Sequence, residues 1–207
     1  MSITSFNDIS DFHIDVLKEI ANIGSGNAAA ALSRMIGQPV GISIPDIGIK
    51  GFNEAYEVLG GAEAIKVGTL LMLSQGIDGM IMFLLPVEVA CELVNMLMFT
   101  NIQCHDEIDE MGFSVINEVS NIMSASFITA ISDMTGFLID ISTPEATVDM
   151  LASIMSVPSI YFAQVSDNLL LIQNELEIGG KKTTSSVLLL PDMPSLNKLM
   201  TSLGIEI

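Results

Sequence analysis

Basic residues are scarce in this chain: 7 Lys+Arg stand against 25 Asp+Glu among 207 residues, a formal net charge of -18. A surface so poor in positive charge repels phosphate backbones and anionic headgroups, which argues against nucleic acid or an acidic membrane surface as the partner. Long apolar runs are also missing. The most apolar stretch, Gly79 to Pro86, falls far short of the ~20 residues a membrane span needs and ends on a proline, so no transmembrane helix is expected. Met1 to Ser10 has neither the basic segment nor the apolar segment of a secretory leader, which predicts a cytoplasmic location. Cysteine is rare. Cys91 and Cys104 can form at most one bridge and lack a Cys-x-x-Cys spacing, so no zinc or redox motif is written and a reducing compartment fits. His13 and His105 are isolated from each other and from any ligand pattern, so both are expected at the surface and no metal site on this chain is expected.

What is present is apolar mass. Half of the residues are hydrophobic and 15% are charged, a composition that can offset the entropy of ordering and excludes disorder. Ile14, Leu17, Ala21, Ala28, Leu32 and Met35 recur at helical spacing and predict one long amphipathic helix from Asp11 to Met35, capped at Ser10 or Asp11 and stopped near Gly37. Gly41 to Asp46 reads as a short strand. Ala64–Leu73 and Gly79–Leu85 read as a hairpin, and Val87 to Met98 as a helix opened by Pro86. An acidic connector, Asp106 to Glu110, leads into a second long helical period, and Asn168–Ile178 with Thr183–Leu190 reads as a final hairpin around Gly179-Gly180.

The second helical period repeats the first at an offset of 99 residues. Laid over one another without a gap, Leu17–Pro45 and Ile116–Pro144 share Glu19/Glu118, Asn22/Asn121, Ile23/Ile122, Ala31/Ala130, Ser33/Ser132, Met35/Met134, Gly37/Gly136, Ile42/Ile141, Ser43/Ser142 and Pro45/Pro144. Each half therefore reads as helix, strand, hairpin, helix. The fold expected is α+β, a tandem pseudo-twofold repeat with a mostly antiparallel shared β-sheet and two long surface helices. Residues 1–207 form one domain made of two repeats, about 1–100 and 101–207, because either half alone buries too little.

Identities that do not serve the core point to function. At 100° per residue the apolar stripe of the first helix faces inward, and Asp15, Glu19, Asn22, Gly26 and Ser33 face the other way. Ser114, Glu118, Asn121, Ala125 and Ser132 are the corresponding outward set of the second. Glu and Asn at i and i+3 share a face, so a carboxylate and an amide can reach the same bound group from one rigid element. One Glu-x-x-Asn is an ordinary surface pattern. Two in matched register, each with Asp or Ser four residues before the Glu and Pro twenty-three after the Asn, form a far more specific constellation. Ile23 and Ile122 lie beside the pairs as candidate apolar contacts for a partner. Gly24 and Gly26 each weaken the helix by ~1 kcal/mol relative to Ala, for close approach of either a partner or a packed helix.

The arrangement Asp15-x3-Glu19-x2-Asn22-x22-Pro45, repeated as Ser114-x3-Glu118-x2-Asn121-x22-Pro144, resembles the double motif of the CheC phosphatases of bacterial and archaeal chemotaxis, in the CheC/CheX/FliY family. A CheX has a single motif in a shorter chain and a FliY adds a flagellar-switch domain, so the expectation is a CheC type. The resemblance implies hydrolysis of the aspartyl phosphate of a phosphorylated CheY-type response regulator in two-component chemotaxis signalling. Glu19, Asn22, Glu118 and Asn121 would be catalytic, and Asp15, Ile23, Ser114 and Ile122 partner-binding. It also implies no cofactor on this chain, with Mg²⁺ and a lysine supplied by the regulator, and an interaction with the receptor deamidase CheD, whose docking surface is expected near Asp149 to Val157. The alternative is a docking or regulatory module for CheY or CheD with little or no catalysis.

Overall fold

The computed structural model describes residues 9–162 and 168–203; the reading of the extreme N-terminus as lacking a leader rests largely on residues outside that range. The apolar periods give two helices of equal length, α1 (Asp11–Ile36) and α4 (Glu110–Thr135), each 26 residues. Their ends are set locally. Gly37 (φ 76°) and Gly136 (φ 74°) close them in the left-handed conformation that glycine adopts without strain, and their N–H groups donate to Ser33 and Ser132 carbonyls. Asp109 caps the start of α4 by accepting from Gly112 N–H at 2.9 Å. At the start of α1, Ser10 N–H donates to His13 Nδ1 at 2.8 Å. His13 is buried, and the surface position expected for it is incorrect.

The first half continues with β1 (Val40–Gly51), α2 (Phe52–Val58), β2 (Ile65–Gln75), β3 (Gly79–Pro86) and α3 (Val87–Met98). After α4 the second half runs β4 (Ile139–Ile141), β5 (Glu145–Met150), α5 (Leu151–Phe162), β6 (Asn168–Ile178), β7 (Lys181–Pro191) and α6 (Met193–Ser202). Both halves insert a short helix between strand and hairpin that the sequence reading passed over. α2 is only 7 residues long, too short to display a period. α5 contains Pro158 and its polar face is a stripe of serines without charge, Ser153, Ser156 and Ser159, so it lacks the charged face and the uninterrupted run by which a surface helix is recognised. The first strand is also longer than Gly41–Asp46.

Among the described residues all strands belong to one seven-stranded sheet in the order β1-β6-β7-β3-β2-β4, with β5 also on β2, and every pairing is antiparallel. Exchanging β1 with β4 and β5, β2 with β6, and β3 with β7 turns that order into its own reverse. The pairings also slip by one residue at equivalent places. Ser43 pairs with Glu175 but Asp46 with Gln173, and Ile141 pairs with Leu73 but Glu145 with Leu70. Pro45 and Pro144 stand within these irregularities, where a residue with no N–H costs the ladder least.

Both faces of the sheet are covered. Ile81, Phe83, Leu85, Leu170, Ile172, Val187 and Leu189 face the layer of α1, α3, α4 and α6, while Met80, Met82, Leu84, Leu169, Leu171 and Leu188 face α2 and α5. The central strands therefore read as continuous apolar runs and not as alternating ones. Among the described residues no helix is long and apolar enough to cross a membrane.

Candidate functional site

α1 and α4 lie in one layer and touch. A Cβ on Gly24 would stand 3.0 Å from Phe127 Cα, so the absence of a side chain there brings the two helices together. Helix packing, and not a partner, accounts for this glycine. A Cβ on Gly26 would meet nothing within 4 Å, so no packing inside the molecule explains that one.

Each helix is further fixed from below. Ser120 Oγ donates to Thr69 Oγ1 of β2 at 3.0 Å in the buried interior. Val40 N–H donates to Ser33 Oγ at 2.9 Å, tying the end of α1 to the start of β1. Ser33 thus serves the fold and does not belong to the outward face on which the wheel placed it.

With the inward sides committed, the outward stripes carry the motif. Asp15, Glu19, Asn22 and Ile23 are all exposed on α1, and Ser114 and Glu118 are exposed on α4. Asn121 and Ile122 are half-buried, and Ile122 packs against the main core, so as a partner contact it offers less surface than Ile23, which is 40% exposed. The second face is therefore the more recessed. Ser114 also differs from Asp15 in chemistry, since its hydroxyl donates to the Glu110 carbonyl of its own helix at 3.0 Å. Among the described residues the lysine ion pairs are Lys50–Glu54, Lys181–Glu92 and Lys182–Glu175; none uses Glu19 or Glu118. Both glutamates are left to meet a cation from outside.

The stripes carry two further residues that the sequence reading missed, Phe12 and Met111, which are 62% and 61% exposed. Their signal was available: they also lie 99 residues apart, on the outward side of the same wheel.

Asp149 is the penultimate residue of β5 and Leu151–Val157 begins α5 on the opposite face of the sheet from α1 and α4. There Val157 is exposed and lines, with Glu145, Asp149, Ser153 and Ile154 among others, a cavity of about 340 Å³, and Ile160 and Tyr161 are exposed farther along α5. Among the described residues no cluster of three or more His, Cys, Asp or Glu has metal-binding geometry. Cys91 is buried and Cys104 exposed, both as free thiols.

A model of the CheC-like family matches residues 4–49 and 111–148, that is, the long helix and following strand of each half. CheY-P phosphatase CheC of Bacillus subtilis (strain 168) is 26% identical over 204 residues, covering 96% of this chain and 97% of that protein. Among solved structures, FliY of Thermotoga maritima superposes with a TM-score of 0.77 at 20% identity, covering 95% of this chain and 98% of that one. The CheX–CheY–BeF3–Mg²⁺ complex from Borrelia burgdorferi matches with a TM-score of 0.54 at 19% identity, covering 82% and 96%. The two matched stretches fall on the two helices that display Glu and Asn outward, and the Bacillus relative aligns along almost the whole length: the chain is similar to the CheC-like family in both of its halves.

Proposed function

We propose that this protein is a phosphatase that hydrolyses the aspartyl phosphate of a phosphorylated CheY-type response regulator, working from two faces. The observation that carries the reading is the recurrence, on two helices equivalent in the fold, of an outward Glu/Asn pair whose glutamate has no ion-pair partner among the described residues. The phosphatase named in Bacillus subtilis and the CheX–CheY assembly from Borrelia support the same substrate class.

Phosphoryl transfer to water depends mainly on placing the nucleophile in line and on countering charge on the equatorial oxygens. An amide is both donor and acceptor, so Asn22 or Asn121, inserted beside the phosphoaspartate, orients the attacking water. A bare carboxylate would repel the phosphoryl group, so Glu19 and Glu118 pair instead with a lysine of the regulator and fix the docking. A divalent cation on the regulator supplies charge neutralisation at the phosphoryl oxygens, and no metal is assigned to this chain. The location that suits this work is the cytoplasm. A second partner, the deamidase CheD, fits the α5 face, where Val157 stands exposed on the cavity it lines with Asp149, and Ile160 and Tyr161 are exposed farther along the helix.

The test is the decay of phosphoryl label from a CheY-type regulator with and without the protein. Wild type accelerates the loss. Asn22→Ala and Asn121→Ala each retain part of the activity, and the double variant falls at least 100-fold toward the spontaneous rate, on the order expected for loss of a positioned water. Asn22→Ala removes the larger share, because Asn22 is exposed and Asn121 half-buried. A wild-type rate equal to the spontaneous one sinks the enzyme reading and leaves the docking alternative. An unimpaired double variant sinks the site.

A further inference from the structure

The outward stripes extend beyond the Glu/Asn pairs. Phe12 precedes Glu19 by seven residues and Met111 precedes Glu118 by seven. At helical geometry each therefore lies ~10 Å nearer the N-terminus than its glutamate and within ~20° of it around the axis. Single exposed apolar residues need no reason. Two at equivalent positions of both halves, 62% and 61% exposed, are a repeated feature, preserved in bulk and apolarity although not in identity. Neither is among the buried or partly buried residues of either core cluster, and the Phe12 ring meets the buried His13 ring edge-on at 6.5 Å, which holds its base in place and leaves most of it exposed. Their positions are fixed, because both sit in first turns held by a cap, Ser10 N–H to His13 Nδ1 in α1 and Gly112 N–H to Asp109 Oδ1 in α4. Toward the other end of each stripe the exposed residues are small, Gly26 in α1 and Ala125 in α4.

We infer that Phe12 and Met111 are docking anchors for the phosphorylated regulator, each seated on an apolar spot of the receiver surface about 10 Å from the phosphoaspartate pocket. The inference rests on the function proposed above and adds to it what sets affinity at that site. The occupant follows from continuity. For the asparagine to enter the receiver's pocket the helix must lie across the receiver's surface, and a side chain two turns away on the same stripe then stands over that surface. A second copy of this chain is the poorer occupant, because pairing through this stripe would cover the site the stripe carries. Specificity also follows, since a receiver with a charged residue at that spot would leave the charge desolvated and unpaired.

The experiment isolates the first face in an Asn121→Ala background and measures the dependence of dephosphorylation on regulator concentration. Phe12→Ser raises the half-saturating concentration about tenfold with turnover at saturation retained, as loss of one buried aromatic contact predicts, and Phe12→Leu restores most of the affinity. Met111→Ser does the same in an Asn22→Ala background. An unchanged half-saturating concentration, or a fall in turnover alone, overturns the inference while the phosphatase reading stands. Absence of any wild-type acceleration overturns both. Sedimentation of the wild type and Phe12→Ser across the same concentrations closes the remaining route: a wild-type dimer that the substitution dissociates assigns the anchor to a second copy and overturns the proposal.

Discussion

Gly24 and Gly26 stand two residues apart on one helix and face opposite demands. At Gly24 a methyl group would meet Phe127 Cα at 3.0 Å and its Cγ at 3.2 Å, backbone and ring that cannot both retreat. Gly24→Ala should lower stability by about 1–3 kcal/mol despite the better helix propensity of alanine. At Gly26 the space is open, so Gly26→Ala should raise stability by about 0.5–1 kcal/mol. Thermal melts of the two variants should move in opposite directions. The cysteines separate in the same way. Burial pushes the Cys91 thiol above its ordinary range, so less of it is thiolate at any given pH, and it is enclosed as well. Alkylation at mild alkaline pH followed by mass spectrometry should find Cys104 modified first and Cys91 only as the protein opens. Sequence alone could not distinguish the glycines, because Gly24 answers to a residue more than a hundred positions away.

Among the elements, the long helices were legible because everything that defines them is local: an apolar period, a polar start and a glycine stop. α1 ends within one residue of the expected Met35, and Val87–Met98 is a helix with the bounds that were read. The outward faces were legible for the same reason, since a wheel needs only the sequence of its own helix. What escaped was set by other elements. Ser33 reads as a surface residue until β1 is brought to it, and Ile122 until the core is. His13 is buried while its Nδ1 accepts from Ser10 N–H, and neither fact is written in the spacing of the two histidines. The second helix depends on its cap, Asp109, which accepts from Gly112 at 2.9 Å. Asp109→Ala should cost about 1 kcal/mol and lower the melting temperature by roughly 2–4 °C. Because the cap also fixes the first turn that carries Met111, affinity at the second face should weaken while the first is untouched, measurable in Asn22→Ala and Asn121→Ala backgrounds.

At the scale of the whole molecule the halves are interleaved. β1 of the first half pairs with β6 of the second, β4 and β5 of the second pair with β2 of the first, and β3 pairs with β7 between them. We propose on this basis that residues 1–207 unfold as one cooperative unit. Calorimetry should show a single transition, and residues 1–100 and 101–207 produced apart should each lack a cooperative melt, since each would expose the strand edges the other covers. The net charge of -18 belongs to this scale too. Asp15, Glu19 and Glu118 are the acids of the motif stripes, and the remaining excess lies outside them, where charge of one sign opposes self-association of an apolar chain.

The exchange of strands bears on how such a protein can change over generations. Two motif faces in one chain invite specialisation, one drifting toward a new partner while the other keeps the old. Drift is open to the residues that stand in water, Asp15 against Ser114 and Phe12 against Met111. It is closed to the floor beneath them, because the strand next to β1 is a loan from the other copy. The duplicated halves are therefore free to diverge in what they recognise and bound to inherit together what they stand on.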